Sequence, residues 1–123
     1  MWSGLRQRAA RSLGQSAEDL ASAYLQARGL RLVQRNYRVR GGEIDLIMRA
    51  ADASLVFVEV RARSSGNFGG AAGSIDARKR RRIVLAARHY LARLRAEPNC
   101  RFDVVALDAG RLEWLPGAFA IED

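Results

Sequence analysis

Gly42-Glu43-Ile44-Asp45-Leu46-Ile47-Met48 and Leu55-Val56-Phe57-Val58-Glu59-Val60-Arg61 decide how the chain folds. Both runs are rich in β-branched and large apolar residues. The segment between them, Ala50-Ala51-Asp52-Ala53-Ser54, has the length and composition of a hairpin loop. Folding the pair symmetrically about Asp52 sets Ile47 against Phe57, Asp45 against Glu59 and Glu43 against Arg61. Because strand side chains alternate between faces, Glu43, Asp45 and Ile47 are expected on one face and Ile44, Leu46 and Met48 on the other. On the partner strand, Phe57, Glu59, Arg61 and Arg63 share one face and Val56, Val58 and Val60 the other.

Two carboxylates opposite each other on a half-buried sheet repel, and burial would force a proton onto one of them. A divalent cation removes the conflict by taking oxygens from both. Mg²⁺ or Mn²⁺ suits such oxygen ligands, with waters completing the shell. A plain salt-bridge ladder of Glu43, Asp45, Glu59 and Arg61 satisfies the same spacing, and both readings stand at this point.

Working outward, Ser16 and Asp19 begin a capping pattern, and Leu20, Ala21, Tyr24 and Leu25 share a helical face. Gly29 stops this first helix, expected over Ala17–Arg28. A strand follows over Leu30–Val39, with an irregularity near Gln34–Asn36. Gly41-Gly42 turns it into the strand Glu43–Met48, and Leu55–Arg63 is the third. Ser64–Gly73 holds four glycines and reads as a mobile loop. With Asn67 and Phe68 it either follows a nucleic-acid backbone or is a plain crossover. Ser74 is the expected cap of a second helix, which runs to about Arg95, buries Ile83, Ala87, Tyr90 and Leu94, and stops before Pro98. Phe102–Leu107 and Leu112–Leu115 are the last strands, with Trp114 and Phe119 closing the core. The order α-β-β-β-α-β-β makes the first three strands an antiparallel meander. The crossover through the second helix sets the fourth strand parallel to the third. A three-layer α/β fold with a mixed sheet of about five strands results.

The 123 residues suit one domain, expected over 14–123 behind a flexible basic arm at 1–13. That arm carries Arg6, Arg8 and Arg11 and no acid. Hydrophobic residues at 49% and charged residues at 28% exclude a disordered chain, and no apolar run approaches the ~18 residues of a membrane span. A net charge of +8 favours polyanionic partners, nucleic acid above all. Lys79 is the only lysine; the other 20 basic residues are arginines. A lone cysteine, Cys100, excludes an internal disulfide and multi-thiolate zinc, and a reducing cytoplasm is expected. His89 has no second histidine to pair with at a metal and reads as structural.

The two strand motifs resemble the YraN family of small bacterial proteins. So do Arg35-Asn36-Tyr37-Arg38, Lys79-Arg80-Arg81-Arg82-Ile83 and Arg101-Phe102-Asp103-Val104-Val105, a likeness that runs from about Gly14 to Phe119. That family is similar to archaeal Holliday-junction resolvases and to the PD-(D/E)xK, restriction-endonuclease-like nucleases. The resemblance implies that fold, a metal-dependent phosphodiesterase site, DNA as substrate and a homodimer matched to a two-fold symmetric junction. The strand-two acid falls on Asp45, the E-x-K element on Glu59, Val60 and Arg61, and the helix-one acid of the resolvases on Glu18. Arg61 departs from the motif's lysine: it keeps the charge and can grip a phosphate through two donors, but it accepts no proton.

Five consecutive basic residues, Arg78, Lys79, Arg80, Arg81 and Arg82, occupy the first turns of the second helix, where its dipole disfavours cations. Phosphate contact is the functional reading and a solvated face the bland one. Five successive positions circle a helix, so they cannot all meet one ligand. The direction Lys79 takes is open. Arg38 lies in a second basic stretch with Arg28, Arg31, Arg35 and Arg40. The leading expectation is a nuclease using Mg²⁺ or Mn²⁺ held by Asp45 and Glu59, with Glu43 in support. The alternative is a nucleic-acid-binding module of the same fold without turnover.

Overall fold

The computed structural model describes residues 16–63 and 75–121. The basic arm, the glycine-rich crossover and the expected cap Ser74 lie outside them. Within them, a first helix α1 over 16–27 leads into β1 (Arg31–Val39), β2 (Gly42–Arg49), β3 (Leu55–Arg63), the helix α2 (Ala77–Leu91), β4 (Cys100–Asp108) and β5 (Arg111–Phe119). The five strands form one sheet in chain order. Only the β3–β4 pairing is parallel. This is the mixed, three-layer α/β architecture expected from the crossover.

Each helix covers one face. Ala21 and Leu25 of α1 pack with Leu46, Met48, Val56, Val58 and Val105. Ile83, Ala86, Ala87, Tyr90 and Leu91 of α2 pack with Ile44, Ile47, Leu55, Phe57, Phe102 and Val104. Rings run through the second layer: Phe57 stacks on Phe102 at 5.5 Å and Phe102 on Phe119 at 4.9 Å. Tyr90 meets Phe57 and Tyr37 edge-on. Such pairs contribute ~0.5–1.5 kcal/mol each beyond area burial. They hold α2 against the strands that carry the acids. Trp114 is half-buried, and its indole N–H donates to the fully buried Asp103 at 2.9 Å, as does the Gly117 N–H. These bonds tie β5 to β4 past the register shift between Phe102 and Val104.

Four local expectations change. α2 begins after Asp76, whose carboxylate accepts the Lys79 N–H at 2.8 Å. It ends at Leu91 rather than near Arg95, so Pro98 follows the helix instead of stopping it. The buried stripe accordingly gains Ala86 and Leu91, while Leu94 only packs against its margin. In β2 the alternation breaks: Ile44 and Ile47 pack under α2, whereas Leu46 and Met48 pack under α1. The break falls at Asp45. Among the described residues no helix is long and apolar enough to cross a membrane.

Candidate active site

The hairpin register follows the symmetry about Asp52: Arg49 pairs with Leu55, Met48 with Val56, Ile47 with Phe57 and Leu46 with Val58. There the β2–β3 ladder stops, while β3 continues along β4 as far as Arg63. The next step, Asp45 against Glu59, is not a ladder pair. Instead the Asp45 carboxylate accepts the Val60 N–H at 2.8 Å, standing in for a backbone carbonyl. The side chain thus caps the place where the two strands part.

Glu59 lies beside it, 4% exposed. Burial first, and the Asp45 carboxylate next, push its carboxyl up to about 8; the Lys79 ammonium and the Arg61 guanidinium pull it back only partly. The Asp45 side chain lies within hydrogen-bonding reach of it. The Glu59 Oε2 faces Lys79 Nζ and Arg61, each at 3.6 Å. Among the described residues no N–H donor reaches its buried Oε1, and a buried oxygen left without one costs ~1–3 kcal/mol.

Glu18 of α1 lies within electrostatic range of Asp45. Burial and the Asp45 charge raise its carboxyl, against the pull of Arg35 and Asn36. Arg35 stands 3.6 Å from Glu18 and 2.6 Å from Asp19. Asn36 is the residue that the sequence reading passed over. It sits between the register pairs Arg35–Leu46 and Tyr37–Ile44, next to Asp45 across the strands. Its φ of 52° is the left-handed conformation that Asn tolerates better than most residues, and its side chain lies within hydrogen-bonding reach of Glu18. The advance signals were the irregularity expected near Gln34–Asn36 and the motif Arg35-Asn36-Tyr37-Arg38, neither of which assigned Asn36 to the site.

The basic run divides as a helix requires. Lys79 turns to the acids, 3.7 Å from Glu43 as well as 3.6 Å from Glu59. Arg82 stands 3.8 Å from Glu43, and Arg38 of β1 lies 4.0 Å from the same carboxylate. Glu43 is therefore the anchor of three cations. Arg78 is exposed at the start of the helix. Arg80 and Arg81 turn away, lining a separate groove with Val84, Leu85, Arg88 and Ile121. His89 accepts or donates at 2.6 Å to the Tyr37 hydroxyl on the outer flank of α2, a structural contact.

The two touching carboxylates, one with an orphaned buried oxygen, have the donor chemistry of a hard divalent cation site. Among the described residues no three His, Cys, Asp or Glu side chains form a ready-made cage. The protein's share would be Asp45 and Glu59, with water or substrate oxygens in the remaining positions, which is the coordination Mg²⁺ favours.

A protein-family model, "Uncharacterised protein family UPF0102", matches residues 17–107, from α1 into the last residues of β4. The chain belongs to that family. UPF0102 proteins of Cupriavidus pinatubonensis, Cupriavidus taiwanensis and Cupriavidus metallidurans are 62%, 65% and 66% identical to it. The alignments cover 89%, 86% and 86% of this chain and 86%, 81% and 79% of the relatives. The matched span includes Glu18, Asn36, Asp45, Glu59, Arg61 and Lys79.

Proposed function

We propose that the chain is a divalent-metal-dependent phosphodiesterase acting on nucleic acid, with branched or otherwise structured DNA as its expected substrate. The observation that carries this reading is the Asp45–Glu59 contact where the β2–β3 ladder ends, with an unpartnered buried Glu59 oxygen. A structural ion pair needs neither two acids in contact nor an orphaned oxygen. Placing them together costs stability, as functional sites commonly do.

Asp45 and Glu59 would hold Mg²⁺ or Mn²⁺, with the Glu18 charge acting on Asp45 from α1. Such an ion, when bound, lowers the pKa of a coordinated water and offsets charge on phosphate oxygens. In the reaction a water oxygen adds to phosphorus and the bond from phosphorus to one sugar oxygen breaks. One water proton passes to solvent, and the departing oxygen takes one up. Arg61, held at 3.6 Å from Glu59, can grip a phosphate through two parallel N–H donors. Arg38 and Arg82, both within 4.0 Å of Glu43, flank the site with the positive charge that draws in a polyanion, and Arg78 is exposed at the start of the same helix as Arg82. DNA, its branched form and a dimeric enzyme follow from the likeness to resolvases.

The test is a titration of the whole protein with Mg²⁺ and Mn²⁺ against labelled duplex, single-stranded and four-way-junction DNA. Cleavage should require metal. Asp45→Asn keeps an oxygen to accept the Val60 N–H and should fold, yet it should lose cleavage while binding DNA as well as or better than the parent. Binding without cleavage under any metal would replace the enzyme with a binding module of the same fold.

A further inference from the structure

We propose that Lys79, delivered by α2, supplies the ammonium that the strand motif lacks at Arg61, so that the two cations of the site divide its work. The proposal rests on the phosphodiesterase reading above and adds a residue that no strand motif contains.

Three observations converge on Lys79. Its Nζ lies 3.6 Å from the Glu59 Oε2 and 3.7 Å from the Glu43 Oε1, so it bridges acids of two strands from a third element. It is the only lysine among 21 basic residues. In a chain whose other basic residues are all arginines, the ammonium stands at a position of α2 that faces Glu59 and Glu43. Its backbone is also fixed. The Asp76 cap takes its N–H at 2.8 Å, and a turn later the Arg82 carbonyl packs so close to Gly42 that a Cβ there would lie 2.3 Å from it. The cap fixes the start of the helix, and the Arg82–Gly42 packing sets the helix against β2.

The chemistry separates the two cations. An ammonium is a compact charge with three donors, able to hold two carboxylates and turn its third proton to a water or a phosphate oxygen. A guanidinium is a planar fork suited to two oxygens of one phosphate. Lys79 therefore orients the attacking water and offsets charge developing on phosphate. Arg61 grips the phosphate. On this account Arg61 is not a damaged lysine, and restoring lysine at that position brings little while Lys79 is in place.

Three variants of the whole protein test this: Lys79→Ala, Lys79→Arg and the double variant Lys79→Ala/Arg61→Lys. Each is assayed for junction cleavage and for Mn²⁺ affinity by calorimetry. Loss of one preorganised charge costs on the order of 10²–10³ in rate, so Lys79→Ala should cleave at least ~100-fold more slowly. It should also bind Mn²⁺ more tightly, because a cation no longer competes for Glu59. Lys79→Arg should fall between it and the parent, and the double variant should regain cleavage. Lys79→Ala that cleaves and binds Mn²⁺ like the parent overturns the role of Lys79 and leaves the nuclease reading standing. So does a double variant no better than Lys79→Ala. A parent that cleaves nothing overturns both.

Discussion

At Glu59 the folded chain holds a proton that the unfolded chain gives up. Its carboxyl is pushed to about 8 from an ordinary 4.5, chiefly by burial and then by Asp45. Between those values the native state binds more protons than the unfolded one, so stability falls as pH rises. The contribution is whole below about 4.5 and gone above about 8. At ~1.4 kcal/mol per pH unit, the loss amounts to a few kcal/mol. We expect the melting temperature without metal to drop between pH 5 and pH 8, by roughly 4–8 °C per kcal/mol for a domain near this size. Glu59→Gln, neutral and of the same shape, should flatten that decline and melt higher at pH 8. Mg²⁺ or Mn²⁺ should stabilise the parent more at pH 8 than at pH 5 and the variant at neither. Thermal melts at both pH values, with and without metal, check all three statements. A parent whose melting temperature rises over this range would contradict the buried proton.

At the level of elements, the site depends on how closely α2 lies on β2. Gly42 is buried, and a methyl group there would meet the Arg82 carbonyl and the Ala86 nitrogen of α2, at 2.3 and 3.2 Å. Since backbone cannot yield as a flexible side chain can, Gly42→Ala must lift the helix. We expect a loss of ~1–3 kcal/mol, as for other overpacked sites, and a fall in cleavage larger than denaturant midpoints explain, because Lys79 moves with the helix. Chemical denaturation beside cleavage assays separates the two effects. The same pair of residues shows what was legible beforehand. Gly41-Gly42 marked a turn, and the hairpin register could be computed from loop symmetry because pairing is local and each strand has a period of two. The parting of the strands at Asp45 could not be computed, because it arises when a side chain takes a ladder hydrogen bond. Nor could the direction of Lys79, which depends on where α2 starts: the cap fell at Asp76, not at Ser74. Asn36 stayed hidden because a left-handed residue inside a strand has no periodicity to reveal it.

Over the whole molecule the charges are unevenly assigned rather than merely numerous. Arg38, Lys79 and Arg82 converge on Glu43 at the acid site, whereas Arg80 and Arg81 line another groove. Nucleic-acid binding should therefore weaken with salt, and the weakening should belong to particular arginines. Each phosphate neutralised on duplex DNA contributes a slope of about −0.9 in log K against log salt. Arg38→Ala with Arg82→Ala should make that slope shallower by one or two contacts, and Arg80→Ala with Arg81→Ala should leave it nearly unchanged. Fluorescence anisotropy across a salt series distinguishes the pairs, and the reverse ranking would move the binding face to the far groove.

The bond from Val60 to Asp45 has a consequence for motion. Along the rest of β3 an amide is released only when strands separate, an event that scales with opening of the sheet. The Val60 amide is released when one carboxylate swings aside. Its hydrogen-exchange rate is therefore set by a side-chain rotation and not by unfolding, which makes a single backbone proton a clock for how often Asp45 leaves its post.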